Sequence, residues 1–131
     1  MKRTAVNPWS WSLKHGYNQG ELVEAANRQL ICAGQTSVDG EGNPQHIGDM
    51  RSQIALTLDN LEAVLSAAEM SLSNVVRLSI YATDVDEALK HFDLLGARFG
   101  AAGVMPPMIL LGVQRLALPP LMFELEATAF D

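Results

Sequence analysis

The sequence predicts an α/β chain of the α+β kind, with a mixed β-sheet and two helices packed on one of its faces. Three observations carry this expectation. The stretch Asp49 to Ala68 repeats apolar residues at helical spacing, and two later stretches alternate apolar and polar residues as half-buried strands do. The segments follow one another in the order β-β-α-β-α-β-β. A chain of 131 residues buries roughly two thirds of its unfolded surface, enough for a single domain over 1–131 with one core.

Taken in order, Arg3 to Val6 fits a short strand. Gly20 to Ala26 and Gln29 to Gln35 flank Asn27-Arg28 and read as a β-hairpin. Ser37 to Pro44 (SVDGEGNP) is turn chemistry throughout; its two glycines are not followed by the Lys-Ser/Thr of a phosphate loop, so it reads as a solvent loop. Asp49 opens the longest helix, whose stripe is Met50, Ile54, Leu58, Leu61, Leu65 and Ala68, and Ser71 to Asn74 stop it. Val75 to Thr83 alternates, with Val76, Leu78, Ile80 and Ala82 on one face and Arg77, Ser79 and Tyr81 on the other. Asp84, with Glu87 three residues on, gives a capping-box-like start to a second helix reaching about Phe99. Met108 to Arg115 and Leu121 to Phe130 are the last strands, separated by Ala117 to Pro120.

Two helices cover only one face of such a sheet. The expected helix side carries Leu78/Ile80, Ile109/Leu111/Val113 and Phe123/Leu125/Ala127, leaving Met108, Leu110, Tyr81, Glu124, Glu126 and Thr128 opposite. That second face is too apolar to be simply solvated and too polar to be a core. It implies burial against further copies of the chain.

The formal net charge of −6, with nine scattered basic residues of which only Lys2 and Arg3 are adjacent, argues against a nucleic-acid partner. No apolar run approaches the ~18 residues that cross a membrane, and no apolar segment lies between Met1 and Pro8, so the cytoplasm is the expected location. Cys32 is the only cysteine and lies in the apolar run Leu30-Ile31-Cys32-Ala33, where it reads as a small hydrophobe. His15, His46 and His91 share no i, i+4 spacing and no ligand spacing with Cys32, so no metal centre is expected. No G-x-S-x-G elbow for a serine hydrolase is present.

Several segments, in order and spacing, resemble the reactive intermediate deaminase (RidA/YjgF) family from about Gly16 onward. Gly16-Tyr17-Asn18-Gln19-Gly20 resembles the family's G-P-Y-x-Q motif, and Ala33-Gly34-Gln35 its S-G-Q strand. Gln53 to Leu65 (QIALTLDNLEAVL), with Val75-Val76-Arg77 and Tyr81-Ala82-Thr83-Asp84, resembles its central helix and strand. Glu124-Leu125-Glu126-Ala127-Thr128-Ala129 resembles its closing E-I-E-A-x-A strand. The resemblance implies a chorismate-mutase-like fold and a homotrimer whose sheets form a central β-barrel, with helices outside and ligand sites in clefts between subunits. It also implies cofactor-free hydrolysis of reactive enamines and imines, such as 2-aminoacrylate, to ketones and ammonia. In that chemistry an arginine holds the substrate carboxylate, while a glutamate and a backbone carbonyl orient the attacking water. Some members are described as ribonucleases, a role the charge of this chain disfavours.

Carried over residue by residue, the resemblance makes Glu124 the catalytic carboxylate and puts Tyr17 and Gly34 in the pocket. The arginine is missing. The family's P-A-R-[ST] stands here as Pro106-Pro107-Met108-Ile109, and Phe92 replaces an asparagine often found on the second helix. The expected substrate-binding set is Tyr17, Gly34, Met108, Leu110 and Phe92. A thioether does not reproduce a bidentate guanidinium, so small imino acids are poor candidate substrates. Apolar neighbours such as Met108 and Leu110 are expected to raise the Glu124 pKa by desolvation, suiting it to proton transfer; the plainer role is an interface carboxylate. Tyr17 either donates to a ligand or fixes its loop. Trp9 and Trp11 either roof the pocket or anchor their segment. Arg77 and Arg115 are candidates for a displaced cation, or for ordinary salt bridges. The two functions left in view are an enamine/imine deaminase for a different small metabolite and a non-catalytic trimeric binding protein using the same cleft.

Overall fold

The computed structural model describes residues 1–131 and has an α+β architecture of seven strands and three α-helices. The strands are β1 (Lys2–Val6), β2 (Gly20–Glu24), β3 (Gln29–Ile31), β4 (Gln35–Thr36), β5 (Val75–Ala82), β6 (Met108–Gly112) and β7 (Phe123–Phe130); the helices are α1 (Met50–Ala67), α2 (Val85–Leu89) and α3 (Asp93–Ala101). The main sheet runs β3-β7-β5-β6, with β4 pairing further along the same strand β7. Only β5 and β6 are parallel, so the sheet is mixed as expected.

The long helix forms where the apolar stripe places it. The Asp49 side chain caps it by accepting the Ser52 amide at 3.0 Å, and Ile54, Leu58, Leu61 and Leu65 are fully buried against the sheet. Their partners on the sheet are Leu78, Ile80 and Ala82 of β5 and Phe123, Leu125, Ala127 and Ala129 of β7. Gln53, also fully buried, is satisfied on both ends of its amide: Nε2 donates to the Pro120 carbonyl at 3.0 Å, and Oε1 accepts the Met122 amide at 2.8 Å. The stripe therefore joins the helix to the segment that leads into β7.

Three expectations need correction. Gly20–Glu24 does not form a hairpin with Gln29–Ile31. It pairs antiparallel with β1, in register from Lys2↔Glu24 to Val6↔Gly20, as a separate two-stranded sheet. Ala25 turns the chain aside at φ 54°, and the Asn27-Arg28 turn is held by Asp131 instead, the Asn27 amide donating to its carbonyl at 2.7 Å. The second helix is broken: α2 ends at Leu89, and a pair of tighter bonds, His91 amide to Ala88 carbonyl and Phe92 amide to Leu89 carbonyl, leads to α3. Finally, β6 is turned over relative to expectation. Its parallel register sets Met108 beside Leu78 and Leu110 beside Ile80, on the helix side, and leaves Ile109 and Leu111, each at least 40% exposed, on the open side. An open semi-apolar face does exist, made of Ile31, Ile109, Leu111, Tyr81, Glu124, Glu126 and Thr128.

Candidate functional site

The residues singled out in the sequence fall into two groups, one on each side of the sheet. On the helix side, Leu13–His15 forms a single 3₁₀ turn, which Gly16 ends at φ 84°, a left-handed conformation suited to glycine. The next residues are tied down firmly. The Asn18 amide donates to the Met105 carbonyl at 2.9 Å, the Asn18 side chain bridges Asn7 and Glu21, and the Gln19 amide donates to the Asn7 side chain at 2.7 Å. This holds His15 and Tyr17 over an apolar cleft whose floor is Ile80, Met108 and Leu110 and whose wall is Leu89 and Phe92. The cleft has a volume of about 410 Å³. A second hollow of about 190 Å³ shares His15, Phe92 and Met108 and continues along α3 past Leu95 and Phe99. Trp11 meets the Tyr17 ring edge-on, with centroids 6.2 Å apart and planes at 84°. Trp9 and Trp11 are both more than half exposed and line neither hollow.

On the open side, Glu124 of β7 sits opposite Thr36 of β4 and Tyr81 of β5. Its carboxylate lies so close to Gly34 that a Cβ on that residue would come within 2.8 Å of Glu124 Cδ and Oε1. A side chain at this position would displace the acid from where it stands. Burial, and then the neighbouring Glu126 charge, push the Glu124 pKa above the usual carboxylate range. The direction is the expected one, but Met108 and Leu110 are not its cause, since they lie on the other face of the sheet. Tyr81 donates its hydroxyl to Glu126, and that bond to an anion raises the Tyr81 pKa.

Within one chain, then, Tyr17, Phe92, Met108 and Leu110 come together, Gly34 and Glu124 come together, and the two groups do not meet. Of the candidate displaced cations, Arg77 lies on the open face among Ser79, Glu126 and Thr128, while Arg115 hydrogen-bonds the Leu116 and Ala117 carbonyls of its own loop. No three His, Cys, Asp or Glu side chains converge as metal ligands do, and no helix is long and apolar enough to cross a membrane. His15, weighed in the sequence only as a metal ligand, lies on the cleft rim. Its position next to Gly16-Tyr17 was the available signal.

Residues 11–130 match the family model described as Endoribonuclease L-PSP. The chain belongs to the RidA/YjgF family. A RutC family protein of Pyrococcus horikoshii is 29% identical over 110 residues, covering 84% of each chain. RutC family protein YjgH of Escherichia coli is 27% identical, covering 89% of this chain and 88% of its own. Among solved structures, the Rid protein YyfB of Yersinia pestis, described as being of unknown function, superposes with a TM-score of 0.89 at 30% identity and full coverage of both chains. The mixed sheet with helices on one face is thus the fold of this family.

Proposed function

We propose that this RidA/YjgF member is a cofactor-free hydrolytic deaminase of enamines and imines, working in clefts between the subunits of a homotrimer on substrates more apolar than small imino acids. The observation that carries the reading is the Glu124 carboxylate, partly desolvated, pressed against Gly34 and bonded to no protein donor. A carboxylate kept free of internal partners is available to a water molecule. That it lies apart from the Tyr17 cleft within one chain fits a site assembled from two subunits, one giving the acid and the other the cleft.

In the proposed reaction, water attacks the imine carbon as Glu124 accepts a water proton. A C–O bond forms and the C=N bond becomes single. Glu124 returns that proton to nitrogen, the hydroxyl proton follows to nitrogen through the same carboxylate, and ammonia leaves as the C–N bond breaks and the carbonyl forms. An enamine first takes a proton on carbon to become the imine. The raised pKa brings Glu124 closer to the working pH, so the proton it accepts is also readily returned.

Ammonia release from a panel of enamines generated in the assay tests this. Glu124→Gln is expected to abolish turnover while leaving assembly intact, because it keeps the size and removes the charge. Retention of most of the rate would make Glu124 structural. The missing arginine favours a second reading, a trimeric binding protein, which predicts ligand binding with no ammonia from any substrate.

A further inference from the structure

We propose that His15 holds the substrate carboxylate that an arginine would otherwise bind, and that the preferred substrates are imino or enamino acids with a bulky apolar side chain. The inference rests on the deaminase reading of the cleft and names its substrate class.

His15 lines both hollows, and it is the only residue in either lining able to carry a positive charge. The rest are apolar side chains, glycines and the Tyr17 phenol. No carboxylate lines either hollow, so no internal acid competes with a bound anion for the imidazole N–H. His15 is exposed at the rim. Lys14, the chain neighbour of His15, is exposed and lines neither hollow, and the other cations near the cleft are engaged or elsewhere. Arg3 binds Glu21 and the carbonyls of Ser73 and Val75, Arg98 binds Asp59 and Glu62, and Lys90 binds Glu87. Arg77 is across the sheet.

The shape sorts the ligand. An imidazole N–H at the rim, above a floor of Ile80, Met108 and Leu110, orients an amphipathic acid with its hydrocarbon inward. About 410 Å³ is far more than the three-carbon skeleton of 2-aminoacrylate fills. The register that Tyr17 and Gln19 set on the G-P-Y-x-Q motif puts His15 at the motif's glycine position.

Calorimetric titration of the full chain with 4-methyl-2-oxopentanoate, the keto acid that a leucine-derived imine would yield, and with its neutral amide tests the inference. Wild type is expected to bind the acid more tightly than the amide. His15→Ala should weaken acid binding about tenfold or more and leave the amide nearly unchanged, while His15→Arg keeps the preference. Equal binding of acid and amide, no binding of the acid, or an unaffected His15→Ala variant overturns it. Ammonia release from leucine- and alanine-derived imines separates this from the broader reading. Acid binding through His15 with no ammonia from any imine sinks the deaminase and leaves the anion site standing. Turnover with a KM indifferent to His15 sinks the anion site and leaves the deaminase.

Discussion

Gly34 and Glu124 form one arrangement, the absent side chain of the first making room for the carboxylate of the second. Gly34→Ala would set a methyl 2.8 Å from that carboxylate, which must then swing away. Turnover is expected to fall at least tenfold with little change in the melting temperature, since β4 keeps its pairing with β7 and the carboxylate has open space to move into. Measured kcat beside a thermal melt checks this, and an unaltered kcat would show that the acid need not stand there. The raised pKa of Glu124 also has a thermodynamic side. The folded chain holds this proton more tightly than the unfolded chain does, so its ionised carboxylate lowers stability at neutral pH, and that loss is recovered as pH falls through the raised pKa. Glu124→Gln should accordingly melt higher than wild type near neutral pH, with the gap closing on acidification. A gap that widens on acidification would contradict the burial of the charge.

Among the elements, the β1-β2 pair is fastened to the body by Arg3. Its guanidinium binds Glu21 and reaches the carbonyls of Ser73 and Val75, and the Glu21 side chain is only 5% exposed. Removing the cation leaves the buried Glu21 carboxylate with only the Asn18 amide, a loss on the order of 3 kcal/mol. Arg3→Ala should show it in denaturant unfolding, together with faster amide exchange in Lys2–Val6 and Gly20–Glu24; a change under 1 kcal/mol would mean the pair is solvated. Such long-range ties explain what the sequence hid. Helix α1 and strand β7 were legible because each has one apolar phase, and so was β5 from Leu78 on, although a break in register buries Val75 where Val76 was expected. The side-chain facing of β6 was not, since Met-Ile-Leu-Leu is apolar in both phases and only its pairing with β5 sets the orientation. The hairpin reading failed because the turn at Asn27-Arg28 is fixed by Asp131, over a hundred residues away. In the proposed site, the family motifs named Glu124 and Gly34, which the fold brings together, whereas the place of His15 on the cleft rim needed the fold that lays its loop over α3 and β6.

For the whole molecule, the open sheet face is the test of assembly. It carries Ile31 at 74% exposure, Ile109 at 40% and Leu111 at 44%, beside Tyr81 and Thr128. If these are the trimer contact, Leu111→Lys should shift sedimentation equilibrium from trimer toward monomer at micromolar concentration. A wild-type chain that is itself monomeric there would overturn the trimer. The same face bears Glu124 and Glu126, and three chains at −6 each would carry about −18, repelling RNA at long range. Salt-sensitive RNA binding at sub-micromolar affinity, in nuclease-free protein, would contradict this despite the description attached to the matching family model.

Strand β6 has a neighbour on one side only, so the outer row of its backbone amides and carbonyls is unpaired within the chain. Five residues reading Met-Ile-Leu-Leu-Gly, without charge or proline, form the kind of edge on which foreign strands template. If the chain assembles as proposed, its solubility and quaternary structure are coupled. A chain released from its partners by dilution, or by a substitution that leaves β6 apolar, should turn solutions cloudy rather than persist as a clear monomer. Leu111→Lys, which places a gatekeeper charge on that strand, should be the dissociated form that stays clear in light scattering.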